Sequence, residues 1–144
     1  MRNLFTLILF LTTFSFAFSQ TRKDTLDDTE KRPFQLGVYE NTSLISLIAT
    51  PEKYNEKKVQ VIGYLHLEFE GTAIYFHKED YEKGILENSF WVNFSDKLAK
   101  KKSLQDYSDK YVIIIGTFKM KDKGHLGLFS GTIDNIVRLD AWMQ

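Results

Sequence analysis

From Lys58 onward, apolar and polar side chains alternate with a period of two. Val59, Val61, Leu65, Leu67 and Phe69 share one parity, while Gln60, Tyr64, His66, Glu68 and Glu70 share the other. Successive side chains of a strand point to opposite faces, so the run predicts one half-buried strand about twice the usual length of roughly five or six residues. Gly63 interrupts the apolar parity near its start, where a missing side chain permits a bulge or sharp coil. A strand bent there can begin in one sheet and finish in another, which is how a small barrel closes.

Ahead of this strand, Leu44, Leu47 and Ile48 recur at helical spacing with Ile45 beside them, and Thr42 and Ser43 stand in front as candidate N-caps. Pro51 stops the helix, because it disfavours the helical conformation at Thr50 and lacks the N–H the helix needs. Behind the strand, Gly71 marks a tight turn. Residues 72–77 then alternate back, with Ile74 and Phe76 opposite Ala73, Tyr75 and His77, which predicts a hairpin.

Residues 78–83 predict one helical turn ended by Gly84 in a left-handed cap. Residues 90–94 predict a third strand with Phe90, Val92 and Phe94 inward, and Ser95 then caps a lysine-rich helical segment through Lys102, anchored by Leu98. Residues 110–119 predict a fourth strand whose continuous apolar centre is buried on both faces. It repeats the first: aligning Gly116 with Gly63 matches Val112 to Val59, Ile114 to Val61, Ile115 to Ile62 and Phe118 to Leu65. Two long strands with the same kink suit neighbours in a curved sheet. Residues 122–124 predict a turn and 126–133 a fifth strand, which 136–139 extends or follows.

Strand, strand, strand, helix, strand, strand is the OB-fold layout of a five-stranded Greek-key barrel, here with the helix at residue 43 added in front. A lipocalin-like barrel needs more strands, and a sandwich has no need of the helix between the third and fourth. The segments SLISLIATPEKY, LEFEGTAIY and GTIDNIVRLDAW resemble a family of small exported bacterial proteins of uncharacterised function, over 43–142. The resemblance implies the same small domain and no catalytic assignment.

Composition adds a compartment. Arg2, an apolar run from Leu4 to Phe16, and Ala17 with Ser19 fit a secretory signal peptide over 1–19, cleaved before Gln20. Residues 20–40 are then a flexible tether, since 21–32 is mixed in charge and holds one large apolar residue, Leu26. The domain is expected over 41–144, and the destination is the periplasm or the medium. The chain has no cysteine, which excludes a lipid-modified N-terminal cysteine and any disulfide framework. It carries 19 basic and 19 acidic side chains, and losing Arg2 leaves a formal charge of −1. Such neutrality argues against an extended nucleic-acid footprint. A monomer without cofactor is expected.

No catalytic motif of recognised spacing appears. His66, Glu68 and Glu70 share a strand face with His77 across the hairpin, which allows a metal site if the side chains converge and another ligand joins them. The plainer reading is a solvated strand face. Glu68 with Glu70 has the spacing of an acid and base pair, but exposed carboxylates on a strand need no catalytic explanation. His125, between Gly124 and Gly127 and near Lys121 and Lys123, offers an anion-binding loop or a simple hairpin turn.

Tyr64, Tyr75 and Trp91 fall where an OB-fold stacks bases or sugars, and the polar parity of the two tyrosines predicts exposure; Trp91 reads first as a barrel-end plug. The leading expectation is therefore a non-enzymatic module binding an oligosaccharide, peptide or protein through Tyr64, His66, Glu68, Tyr75, Trp91 and His125. The alternatives are a small metal-dependent hydrolase using Glu68, Glu70, His77 and His125, and a nucleic-acid-binding barrel.

Overall fold

The structure, a computed structural model, describes residues 38–101 and 103–142. The expected leader and most of the expected tether lie outside the described residues.

Strand β1 (Glu40–Asn41) leads into helix α1 (Leu44–Ala49). Ser43 caps α1, its Oγ accepting from the Ser46 N–H at 3.1 Å. Pro51 ends α1 as the sequence predicts and also begins α2 (Pro51–Tyr54), at a helix start where its missing N–H is not needed. Leu44 and Leu47 turn into the core while Ile45 and Ile48 remain exposed.

The barrel follows. Its strands are β2 (Lys58–His66), β3 (Ala73–Tyr75), β4 (Ser89–Phe94), β5 (Lys110–Lys119) and β6 (Thr132–Ala141), with α3 (Lys78–Lys83) between β3 and β4 and α4 (Asp96–Ala99) between β4 and β5. β2, β3 and β4 form an antiparallel meander. β4 then pairs in parallel with β6, β6 pairs antiparallel with β5, and β5 returns antiparallel to β2. This closed circuit is a Greek-key barrel of the OB-fold type. β1 adds a short parallel sixth strand beside the start of β2.

β2 can serve two partners on one edge because β1 pairs with its start and β3 with its end, while β5 follows it along the other edge from Lys58 to Leu65. Its register with β5 runs unbroken through Gly63, so the glycine does not make a bulge. It permits close approach instead: a Cβ there would lie 2.6 Å from the Tyr75 carbonyl oxygen and 2.8 Å from Leu44 Cδ1. The strand folds over against β3 and α1 because nothing projects from it at that point.

Three sequence expectations shift. The first strand stops at His66 instead of running to Glu70, because Thr72 Oγ donates to the Glu68 carbonyl at 2.6 Å and accepts from the Glu68 N–H at 3.2 Å, tying 68–72 into a turn. Phe69, in phase with the core, is thereby left 96% exposed. The last strand begins at Thr132, not at 126, since residues 125–127 form a short 3-10 turn with Leu126 in the left-handed region at φ 55°. β6 also carries an irregularity against both neighbours at Asn135, whose φ is 49°. In the helix after β4, Ser95 occupies the cap position without a side-chain bond, and α4 ends at Ala99.

The barrel interior is filled by Val59, Val61, Leu65, Ile74, Phe90, Ile114, Phe118 and Ile133, with Leu44 and Leu47 closing one end. Each large aliphatic or aromatic side chain so buried contributes about 1.5–3 kcal/mol. Phe90 meets Phe118 edge to face at 5.7 Å between ring centroids. A second cluster gathers Tyr64, Ala73, Tyr75 and Phe129, with Tyr81, Leu86 and Trp91 packed around it.

Candidate functional site: a tyrosine-lined face and an adjoining groove

That second cluster corrects the expected binding face. Tyr64 and Tyr75 retain only 4% and 3% of their exposure, because the chain from α3 to residue 88 folds across the outer side of β2 and β3 and brings Tyr81 and Leu86 down onto them. Tyr81 lies 5.9 Å from Tyr64 and 5.4 Å from Tyr75, ring to ring. Alternation with polar neighbours says which face a tyrosine is on. It does not say whether that face is covered by chain arriving later.

α3 is anchored where it does this. The carboxylate of Asp80, itself buried, accepts from the His77 N–H at the helix start and from the Asn88 side chain, both at 2.9 Å. At the other end Gly84 adopts φ 66°, the left-handed cap the sequence predicts.

His66 sits at the rim of this face. Its Nδ1 lies 2.7 Å from Asp109 Oδ1, and because a carboxylate only accepts, Nδ1 carries the proton. On the other side of the ring, Nε2 lies 3.1 Å from the Tyr81 hydroxyl, and the ring stacks on Tyr81 at 4.2 Å. Tyr64 Oη donates to the same Asp109 oxygen at 3.3 Å. Asp109 is held in place by its φ of 60° and by its own N–H, which donates to the Leu65 carbonyl at 2.8 Å.

The protonation preferences follow from the contacts. The hydrogen bond from His66, reinforced by its charge and by Tyr64, holds the Asp109 carboxyl below its ordinary range. Burial pushes Tyr75 up to about 12, helped by the nearby Glu68 carboxylate. Tyr64 and Tyr81 are also raised, by burial first and then by the Asp109 charge. Tyr81, His66 and Asp109 thus form one continuous chain of contacts. These contacts tie α3, the end of β2 and the start of β5 together.

Beside this rim lies a groove of about 510 Å³, bounded by the 67–72 turn, β4 and the chain after it. Glu68, Phe69, Thr72, Trp91, Asn93 and Gln105 line it. Trp91 is half-buried: Phe129 meets its edge at 5.4 Å, Gly124 approaches so closely that a Cβ there would fall 2.6 Å from Trp91 Cβ, and its indole N–H donates to Asn93 Oδ1 at 2.8 Å. It thus packs against the outer cluster and forms a wall of the groove, and is not the barrel-end plug the sequence suggests. Glu68 folds over Gly71, and one of its carboxylate oxygens comes within 3.7 Å of His66 Nε2.

The remaining candidates disperse. His77 faces Phe76 at 4.0 Å and lines a separate groove with Ile62, Tyr111 and Trp142; Glu70 is exposed on the turn, and His125 is exposed in the loop before β6. Among the described residues, no three His, Asp or Glu side chains are gathered to hold a metal ion. The set Glu68, Glu70, His77 and His125 therefore does not form one site.

Sequence reasoning did not single out Asp109, Tyr81 or Asn93. Asp109 had one usable signal, since Asp is among the few non-glycine residues enriched at positive φ, and Ser108-Asp109 immediately precedes a strand. Tyr81 had none, because its partners lie in distant segments. Neither protein-family models, nor curated proteins, nor solved structures match this chain.

Proposed function

We propose that this domain is a non-enzymatic binding module of the cell envelope or the medium, and that its ligand is an oligosaccharide seated in the groove between the 67–72 turn and β4. The observation carrying this reading is the pairing in one groove of two aromatic side chains, Phe69 and Trp91, with the polar side chains of Glu68, Thr72, Asn93 and Gln105. Sugars present apolar ring faces and a periphery of hydroxyls. Aromatic surface serves the first, and carboxylate and amide groups serve the second. The groove adjoins the strand face and turn that OB-fold barrels use for oligonucleotides and oligosaccharides.

Its walls favour sugar over nucleic acid, since among the described residues the lining contains Glu68 and neither lysine nor arginine. The leader expected over residues 1–19 points the same way, because it would carry the domain to where glycans are abundant. An occupant of the groove would cover Phe69, which is 96% exposed.

Tryptophan emission tests this directly. Trp91 and Trp142 are the only tryptophans, so Trp142→Phe makes Trp91 the sole reporter. Titration with envelope-derived oligosaccharides should change its emission saturably, and adding Phe69→Ala and Asn93→Ala should weaken binding at least tenfold without altering the circular dichroism. Saturable binding that ignores both substitutions, or a response to peptides and none to any sugar, would remove the proposal.

A further inference from the structure

The loop between β5 and β6 is a second exposed feature, distinct from the groove, and its chemistry is layered. The Phe129 N–H donates to the Lys123 carbonyl at 3.2 Å, closing residues 124–128 into a protruding tip, within which Gly127 N–H donates to the Gly124 carbonyl at 3.2 Å. Leu126 stands at the tip 79% exposed, and Leu128 beside it is half exposed. Holding a leucine at positive φ is costly, so its projection into water is imposed by the loop and not a default of the chain.

Cations stand at the base of the tip. Lys121 and Lys123 are exposed, and among the described residues neither has a carboxylate within ion-pair distance. The one acidic residue in the loop, Asp122, is exposed between them and accepts from the Gly124 N–H at 3.1 Å, which leaves the loop base with a net positive charge. Both lysines also border a groove of about 410 Å³ floored by Ile48, Pro51 and Met120, next to the exposed outer face of α1.

We propose that this loop docks onto an anionic lipid surface, with Leu126 and Leu128 entering the headgroup–acyl boundary and Lys121 and Lys123 meeting lipid phosphates. Two arguments select a membrane over a protein partner. Protein interfaces ring an apolar centre with a polar rim, whereas here the exposed Leu126 and Leu128 stand at the tip with the cations set behind them. That order matches the layering of a bilayer, in which charge lies outside hydrocarbon. Charge complementarity then selects anionic lipid: each lysine near such a surface strengthens partitioning by about fivefold.

The test uses the full chain and a local readout. The sequence contains no cysteine, so Leu126→Cys provides a unique attachment point for a polarity-sensitive fluorophore, and Lys97→Cys on α4 is the control. With vesicles containing phosphatidylglycerol, the probe at 126 should shift to the blue and be quenched by brominated acyl chains, while the probe at 97 should not. Pure phosphatidylcholine should give at least tenfold weaker binding at the loop, as should Lys121→Glu with Lys123→Glu, and salt should reverse the response. A probe at 126 that stays in water while the same protein sediments with anionic vesicles would overturn the proposal, because residues elsewhere would then make the contact. A shift produced by polyglutamate and not by vesicles would overturn it in favour of an acidic polypeptide. Circular dichroism of each variant separates loss of fold from loss of docking.

Discussion

Nδ1 of His66 and Oδ1 of Asp109 lie 2.7 Å apart, and this contact spans 43 positions of sequence. It joins the end of β2 to the start of β5, while Tyr81 on the other side of the imidazole adds α3. Replacing His66 by Ala removes the bonds to Asp109 and Tyr81, each worth about 0.5–1.5 kcal/mol net, so unfolding should become easier by about 1–3 kcal/mol. Urea denaturation followed by circular dichroism measures it. A stability unchanged within about 0.3 kcal/mol would mean that the cluster does not hold α3.

Acid should act on the same pair in a defined direction. Asp109 is held below its ordinary value of 3.8, chiefly by the bond from His66. The folded state therefore binds this proton less readily than the unfolded chain, and the stability so conferred is present above 3.8 and lost as pH falls through the lowered value. Carbon-13 NMR of the Asp109 carboxyl should show a low titration midpoint that rises in His66→Ala. An unchanged midpoint would assign the shift to another cause.

At the alkaline end the sign is set by Tyr75. Its value is raised to about 12 from 10.0, so the folded state keeps a proton that the unfolded state releases. That contribution is fully present below 10.0 and disappears as pH rises toward about 12. Absorbance at 295 nm should resolve a late step among the seven tyrosines, and Tyr75→Phe should abolish it. Disappearance of the late step in Tyr81→Phe instead would move the assignment to that ring.

Gly63 and Gly116 bear on barrel closure. In the antiparallel register of β2 and β5, Gly63 faces Val112 and Gly116 faces Val59, so the two matching sequence segments are related by a local two-fold. Each glycine admits a close neighbour, the Tyr75 carbonyl in one case and Ile133 Cγ2, 2.7 Å from a hypothetical Cβ, in the other. Gly63→Ala and Gly116→Ala should each destabilise by about 1–3 kcal/mol through overpacking. Thermal melts would show it, with Gly84→Ala as a comparison in which the space around the Cβ is open and only the backbone conformation resists.

Much of this architecture is legible along the chain because local rules and the final packing agree. The apolar centre of 110–119 gives β5 its observed limits, Gly84 stops α3, and the repeat of Gly63 at Gly116 marks two strands that do pair. Legibility fails where a distant segment decides. Whether Tyr64 and Tyr75 face water depends on Tyr81 and Leu86 arriving over them, and whether His66 is free depends on Asp109. Phe69 and Leu126 fail differently, since each has the composition of a strand residue while Thr72, or a left-handed backbone, turns the chain away.

Closure of the barrel also bears on the time the chain needs to reach it. The β2–β5 seam joins positions about fifty residues apart, and the parallel β4–β6 pair is likewise non-local, so neither can form before a large loop has been ordered. The β2–β3–β4 meander lacks that handicap. It is free to assemble early and must wait for β5 and β6 with the edges of β2 and β4 unpaired, which makes the interval before closure the period in which this chain is most exposed to aggregation.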